Sequence, residues 1–183
     1  MERTSRNFSM RLDLGNLLEM CLIPIVLVSM SETEDYWNEF IAHGEKENVL
    51  WELENMDVES YYQLQKADER TKRFGFFING KMVGALRVSS AINHEASGKI
   101  GYSIRPTQRG KRYSILLLRM AIEYCNREAI ENVTACVNIK NIASIHALRS
   151  SGFIETGRYF DRPPNPLPRK TMEFCFAQVR NEK

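Results

Sequence analysis

Gly101-Tyr102-Ser103-Ile104-Arg105-Pro106-Thr107-Gln108-Arg109-Gly110-Lys111-Arg112-Tyr113-Ser114 is the stretch that decides how this chain folds. Lys99 to Ile104 follows Gly98 and reads as a β-strand. Pro106 disfavours helical geometry at Arg105 and marks the strand's exit. From Tyr113 to Arg127 the pattern changes to that of a helix. Its polar residues Arg119, Glu123, Asn126 and Arg127 make a narrow stripe, and Ile115, Leu116, Leu117, Leu118, Met120, Ala121 and Ile122 cover the rest. A helix so apolar is buried on most sides and packs against a sheet. The segment is therefore a strand end, a proline-set turn, a basic loop with one glycine, and a helix start.

That junction has a chemical consequence. The first backbone N–H groups of a helix lack internal partners, and the helix dipole adds partial positive charge there. A pyrophosphate fits such a place. Arg109, Lys111 and Arg112 add three cations. From the residues alone, those cations either attract an anion or only solvate the loop.

Upstream, Met20 to Val28 reads as a first buried strand, too short to span a bilayer. Asp13, Glu19 and Pro24 interrupt any secretory pattern. Residues 1–19 are expected to be an extension and 20–183 a single domain. Ser31-Glu32-Thr33-Glu34 has the form of a capping box. The helix it starts carries Tyr36, Trp37, Phe40 and Ile41 on one face and stops at Gly44. A second helix is expected over Asp57 to Lys66. Phe74 to Ile78 and Met82 to Val88 flank Asn79-Gly80, the strongest short hairpin signal.

Downstream, Val133 to Val137 reads as a strand, Asn141 to Ser150 as a short helix stopped by Gly152, and Phe153 to Phe160 and Thr171 to Ala177 as closing strands. Pro163 to Pro168 makes a stiff loop, either plain surface or the wall of a cleft. The fold class is mixed α+β: a central mixed sheet of about seven strands with helices on its faces.

Composition narrows the function classes. The chain has 183 residues and a formal charge of +2, too small to argue for nucleic acid. Cys21, Cys125, Cys136 and Cys175 are scattered among apolar neighbours, which suggests buried thiols in a reducing, cytoplasmic setting. Their spacing supports no metal site and no disulfide framework. No membrane partner is indicated. The oligomeric state is open, a homodimer included.

A family resemblance now enters. Gly101-Tyr102-Ser103-Ile104-Arg105-Pro106 followed by Arg109-Gly110-Lys111 resembles the coenzyme A loop of the GNAT superfamily of N-acetyltransferases. Asn141-Ile142-Ala143-Ser144, ahead of Gly152-Phe153, resembles its second landmark. The element order is similar over about residues 20–177. The resemblance implies a GNAT-like fold, its central sheet mostly antiparallel with helices on both faces, and direct transfer of an acetyl group from acetyl-CoA to a primary amine of a small molecule or protein. It implies cofactor contacts from Tyr102, Ser103 and Ile104 on the strand. It implies further contacts from Arg109, Gly110, Lys111, Arg112, Tyr113 and Ser114 in the loop and helix start, and from Asn141 and Ser144. Asn141 would hydrogen-bond the pantetheine arm, or serve as a helix cap, or both.

The chain departs from the family pattern twice. Arg112 stands where glycine is usual, and Ser114 where glycine or alanine is usual. Glycine lets a backbone approach phosphates without a Cβ. With an ordinary φ, Arg112 still donates its N–H; its side chain either pairs with a phosphate or narrows the loop. Many members carry a tyrosine general acid where this chain has Leu148. Replacement acids or bases are His94, Glu95 and Tyr102, with His146 on the short helix; each has a plainer role in a turn, in packing or on the surface. A second function class follows from these departures: a non-catalytic acyl-CoA-binding module of the same fold. Acidic residues Glu45, Glu47, Glu52 and Glu54 either draw a cationic acceptor or form a solvated face.

Overall fold

The computed structural model describes residues 19–45, 59–60, 63–64, 68, 70–91, 94–162 and 169–177. Seven strands are described: β1 Met20–Pro24, β2 Thr71–Ile78, β3 Lys81–Ala91, β4 His94–Ile104, β5 Asn132–Asn138, β6 Ile154–Arg162 and β7 Arg169–Ala177. Three long helices accompany them: α1 Met30–Ala42, α2 Tyr113–Arg127 and α3 Ile142–Ser150. The strands form one sheet in the order β1-β2-β3-β4-β5-β7-β6. Only β4 and β5 run parallel; every other neighbouring pair is antiparallel. The mixed, mostly antiparallel sheet expected from the sequence is therefore present.

Side chains alternate across a strand, so neighbouring residues enter different layers. Phe76, Val83, Ile100 and Ile104 pack with Leu117, Leu118, Met120 and Ala121 of α2 and Ile145 and Leu148 of α3. Phe77 and Met82 pack instead with Tyr36 and Phe40 of α1. Helices thus cover both faces. Asn79 and Gly80 take φ values of 48° and 75°, the turn their sequence demands, and join β2 to β3.

Several boundaries move. The first strand ends at Pro24 and passes into a 3-10 turn at Ile25–Leu27, so it does not run on to Val28. The helix cap is consequently Ser29, not Ser31: Glu32 N–H donates to Ser29 Oγ at 3.1 Å. Glu32 stays at the third helical position, but its Oε1 accepts from Met82 N–H at 3.2 Å instead of closing the capping box. Ile41 is exposed, because Tyr36 and Phe40 already fill the space beneath the sheet. β4 begins at His94, since a bulge opposite Ser90 and Ala91 lets the strand continue through Gly98. Of the four free cysteines, only Cys125 is buried, and burial pushes its thiol up to about 12; the other three are half-buried. Residues 59, 60, 63 and 64 are helical, while the rest of the expected Asp57 to Lys66 helix, the extension up to residue 18, Glu47, Glu52, Glu54 and the Pro163 to Pro168 loop lie outside the described residues. No described helix is long and apolar enough to cross a membrane.

Candidate functional site

The parallel pair sets the site. β4 and β5 pair from Ser97 with Asn132 to Ile100 with Ala135, and no further. Beyond that point Gly101 to Ile104 stays with β3, while Cys136 to Asn138 stays with β7. The strands part, leaving one edge of β4 without a ladder partner among the described residues. Arg105 N–H donates to Val83 O on the β3 side at 2.9 Å. Successive amides of a strand point to alternate sides, so the amides of Tyr102 and Ile104 face the split.

The basic loop sits at the end of that edge. Pro106–Gln108 forms one 3-10 turn, and Arg112 is the N-cap of α2. The amides of Gly110, Lys111, Arg112, Tyr113 and Ser114 have no hydrogen-bond partner among the described residues. Five consecutive open donors at a helix start make an anion cradle. Gly110 has φ 77° and Arg112 φ 61°. The ordinary φ allowed for Arg112 is thus not what it adopts. It takes the left-handed backbone that glycine would adopt freely, at a cost of about 1 kcal/mol, and its N–H stays open.

The three loop cations divide. Arg109 makes a bidentate pair with Glu45, both N–O distances being 2.6 Å. Its Nε donates to Ile104 O at 3.2 Å, and its guanidinium lies 5.6 Å from the Phe40 ring centre. Arg109 is a strut between the loop and the end of α1, and its charge is spent there. Glu45, which the sequence left between acceptor attraction and solvation, is that partner. Lys111 and Arg112 are exposed, and Lys111 Nζ donates to Gln108 Oε1 at 2.9 Å.

On the other wall, Asn141 caps α3, its Oδ1 accepting from Ser144 N–H at 3.1 Å. The Asn141 side chain is exposed, so the amide nitrogen can still serve a ligand. Ser144 Oγ lies 2.6 Å from Tyr102 Oη. Tyr102 therefore spans from β4 to α3 across the split. Burial pushes its hydroxyl up, against a smaller opposing effect of the Ser144 hydrogen bond, so it stays protonated. Leu148 is fully buried in the core and supplies no acid. His146 is exposed on α3. His94 and Glu95 start β4 at the end remote from the loop; at ordinary strand rise, Glu95 stands roughly 20 Å before Gly101. The fold gathers Tyr102, Ser103, Ile104, Arg109 to Ser114, Asn141 and Ser144 around the split, and leaves His94 and Glu95 away from it.

Sequence reasoning missed the support beneath the loop. Arg105 is 2% exposed. Its Nη1 donates to Asp35 at 2.7 Å and to Glu39 at 3.1 Å, and Glu32 lies 3.8 Å from Nη2. Its guanidinium also sits 5.4 Å from the centre of the Tyr36 ring. Glu39 accepts from the Thr107 amide and hydroxyl as well, at 2.8 and 2.7 Å. Burial opposes its ionisation, but the Thr107 and Arg105 hydrogen bonds outweigh this and hold the carboxyl below its usual range. The buried Tyr36 hydroxyl is 2.9 Å from Ser103 Oγ. The signal was available: Glu32, Asp35 and Glu39 recur at helical spacing on the stripe that carries Tyr36, which implies a cation opposite them.

Comparison with known proteins bears on the family and the fold. A family profile described as the acetyltransferase (GNAT) domain matches residues 25–154. No curated protein matches the chain. Among solved structures, Mycobacterium smegmatis RimJ in complex with CoA-disulfide is similar at 19% identity, with 90% of this chain and 85% of that one covered and a TM-score of 0.71. Spermidine N-acetyltransferase from Vibrio cholerae in complex with CoA and spermine is similar at 17% identity, covering 87% and 95%, with a TM-score of 0.72. Salmonella typhimurium yncA with its cofactor acetyl-CoA is similar at 13%, covering 92% and 98%, with a TM-score of 0.70. At such identities the likeness speaks for the fold alone. The family match is a different matter: it runs from the turn after β1 to the first residue of β6, and so takes in both the split and the loop of open amides. This chain belongs to the acetyltransferase (GNAT) domain family.

Proposed function

We propose that this GNAT domain binds acetyl-CoA in the split and transfers its acetyl group directly to a primary amine of a small molecule or protein. The observation that carries this is the run of five open amides from Gly110 to Ser114, placed where the unpaired edge of β4 ends. Those amides would hold the pyrophosphate, with Lys111 and Arg112 beside them. The amides of Tyr102 and Ile104 would bond the pantetheine arm and polarise the thioester carbonyl. Asn141 and Ser144 would line the opposite wall.

Transfer requires the amine nitrogen to lose a proton as the C–N bond forms. The sulfur gains one as the C–S bond breaks. Leu148 cannot provide that proton. Tyr102 is the donor we assign, because its hydroxyl reaches the start of α3 and burial keeps it protonated. Ser144, hydrogen-bonded to it, orients the hydroxyl.

The test is release of free thiol from acetyl-CoA across a panel of amines, paired with thermal stabilisation by acetyl-CoA. Stabilisation with amine-dependent thiol release supports the proposal. Stabilisation without turnover on any amine favours the non-catalytic acyl-CoA-binding module. Absence of stabilisation removes both.

A further inference from the structure

We infer that the Ser103 hydroxyl, set in place by the buried Tyr36, holds the acceptor amine against the thioester by accepting one of its N–H bonds. This rests on the acetyl-transfer proposal and adds the residue that binds the acceptor. Ile100 and Ile104 of β4 pack into the core with α2, and Tyr102 reaches Ser144 on α3. Successive side chains of a strand alternate, so Gly101 and Ser103 point to the face that carries α1. α2 and α3 close the other side of the split. An acceptor amine therefore arrives over Gly101 and Ser103, both of which are only half-buried.

Ser103 stands between the two strand donors of the site, because Tyr102 and Ile104 on either side of it are the residues whose amides face the split. Its row across the sheet is Gly75, Ala85, Ser103. Nothing larger than a methyl group precedes the serine in that row. β5 adds no residue to the row among the described pairs, since its pairing with β4 ends at Ile100. The row thus ends at Ser103, on the edge of the split. Gly101, the preceding residue on that face, has no side chain to stand over the hydroxyl.

The hydroxyl is fixed from α1. Tyr36 is 0% exposed, and a buried hydroxyl needs a partner. Its Oη lies 2.9 Å from Ser103 Oγ and 3.3 Å from Ser103 O. Either Tyr36 donates to Ser103 Oγ, or it donates to Ser103 O and receives the serine's own hydrogen. A hydroxyl oxygen has two lone pairs, so in both arrangements Ser103 Oγ keeps one for a further donor. Burial raises the Tyr36 pKa above its ordinary value, so Tyr36 stays protonated and takes no proton from the amine. A neutral primary amine can give one N–H to Ser103 Oγ and keep its lone pair for the carbonyl carbon. Ser103 touches the acceptor, and Tyr36 is a positioning residue.

The experiment puts a nucleophile at this position. In Ser103→Cys, acetyl-CoA alone should acetylate the substituted thiol. A new S–C bond forms, the C–S bond to coenzyme A breaks, and the thiol's proton passes to the released sulfur. Peptide mass spectrometry should find one acetyl group on position 103, formed about tenfold faster or more than on the substituted thiol of Lys99→Cys, which lies on the same face roughly 13 Å back along β4. With an amine that wild type turns over, Ser103→Ala should raise the amine KM about tenfold. Tyr36→Phe should raise it less, and Ser103→Thr, which keeps the hydroxyl, should stay near wild type. Acetyl-CoA stabilisation should be unchanged in all three. No preference for acetylation at position 103, or a wild-type KM in Ser103→Ala, overturns the inference. The exchange needs no amine, so the two readings fail separately: acetylation of Ser103→Cys, in a protein that turns over no amine, would overturn the transfer proposal and leave Ser103 facing the thioester.

Discussion

Tyr102 Oη and Ser144 Oγ are 2.6 Å apart, a hydrogen bond that joins a strand of the sheet to a helix on the far wall of the split. Leu148, one turn further along the same helix, is buried in the core. Tyr102→Phe should therefore lower kcat by about 10²-fold or more with little change in acetyl-CoA affinity. Ser144→Ala should have a smaller effect, since it orients the donor. The alkaline limb set by Tyr102 should lie above pH 10, the ordinary tyrosine value, because its pKa is raised. A pH–rate profile of wild type against Tyr102→Phe checks this; equal kcat values would remove Tyr102 from the chemistry.

Arg112 holds φ 61° without the freedom of glycine. Arg112→Gly should stabilise the fold by about 1 kcal/mol. Arg112→Ala removes the charge and keeps the strain, so it should not. Urea unfolding of the two variants separates backbone relief from charge.

Arg109 and Lys111 should behave differently despite equal charge. Arg109 is bound to Glu45 and Ile104 O. A double-mutant cycle on Arg109 and Glu45 should show a coupling of about 1 kcal/mol, the upper end for an exposed pair. Lys111→Glu should leave unfolding unchanged and weaken acetyl-CoA binding about tenfold. If Lys111→Glu binds acetyl-CoA as wild type does, the phosphates lie elsewhere.

Arg105 lies buried among Glu32, Asp35 and Glu39. Arg105→Met should cost about 1.5 kcal/mol, because the half-buried Glu39 loses a charged hydrogen-bond donor while Glu32 and Asp35 remain in contact with solvent. Glu39 gives this cluster a pH signature. Its folded pKa is lowered from 4.5, so its stabilising contribution is complete above that value and is lost as pH falls below it toward the folded pKa. The Tm difference between wild type and Glu39→Gln should therefore be full at pH 7 and shrink below pH 4.5. A difference that grows at low pH would contradict the assignment.

Most elements of this protein were determined by local sequence. The Asn79-Gly80 turn, the strand exit at Pro106, the α2 span from Tyr113 to Arg127 and the Asn141 cap all depend on neighbours within a few residues, whose backbone preferences act at short range. The same is true of the anion cradle in outline, since a helix start always offers its first amides. What only the tertiary structure decided is which charges those amides keep. Arg109, Lys111 and Arg112 look alike in sequence, yet Arg109 meets Glu45 at the end of α1, a partner sixty-four positions away. Arg105 read as a residue before a proline, and is a buried hub because α1 folds over it. The Ile104 to Ser114 segment is a place for an anion by virtue of its own residues. The loss of pairing between β4 and β5 beside it, and the tyrosine that bridges that gap, exist only once distant strands have taken their neighbours.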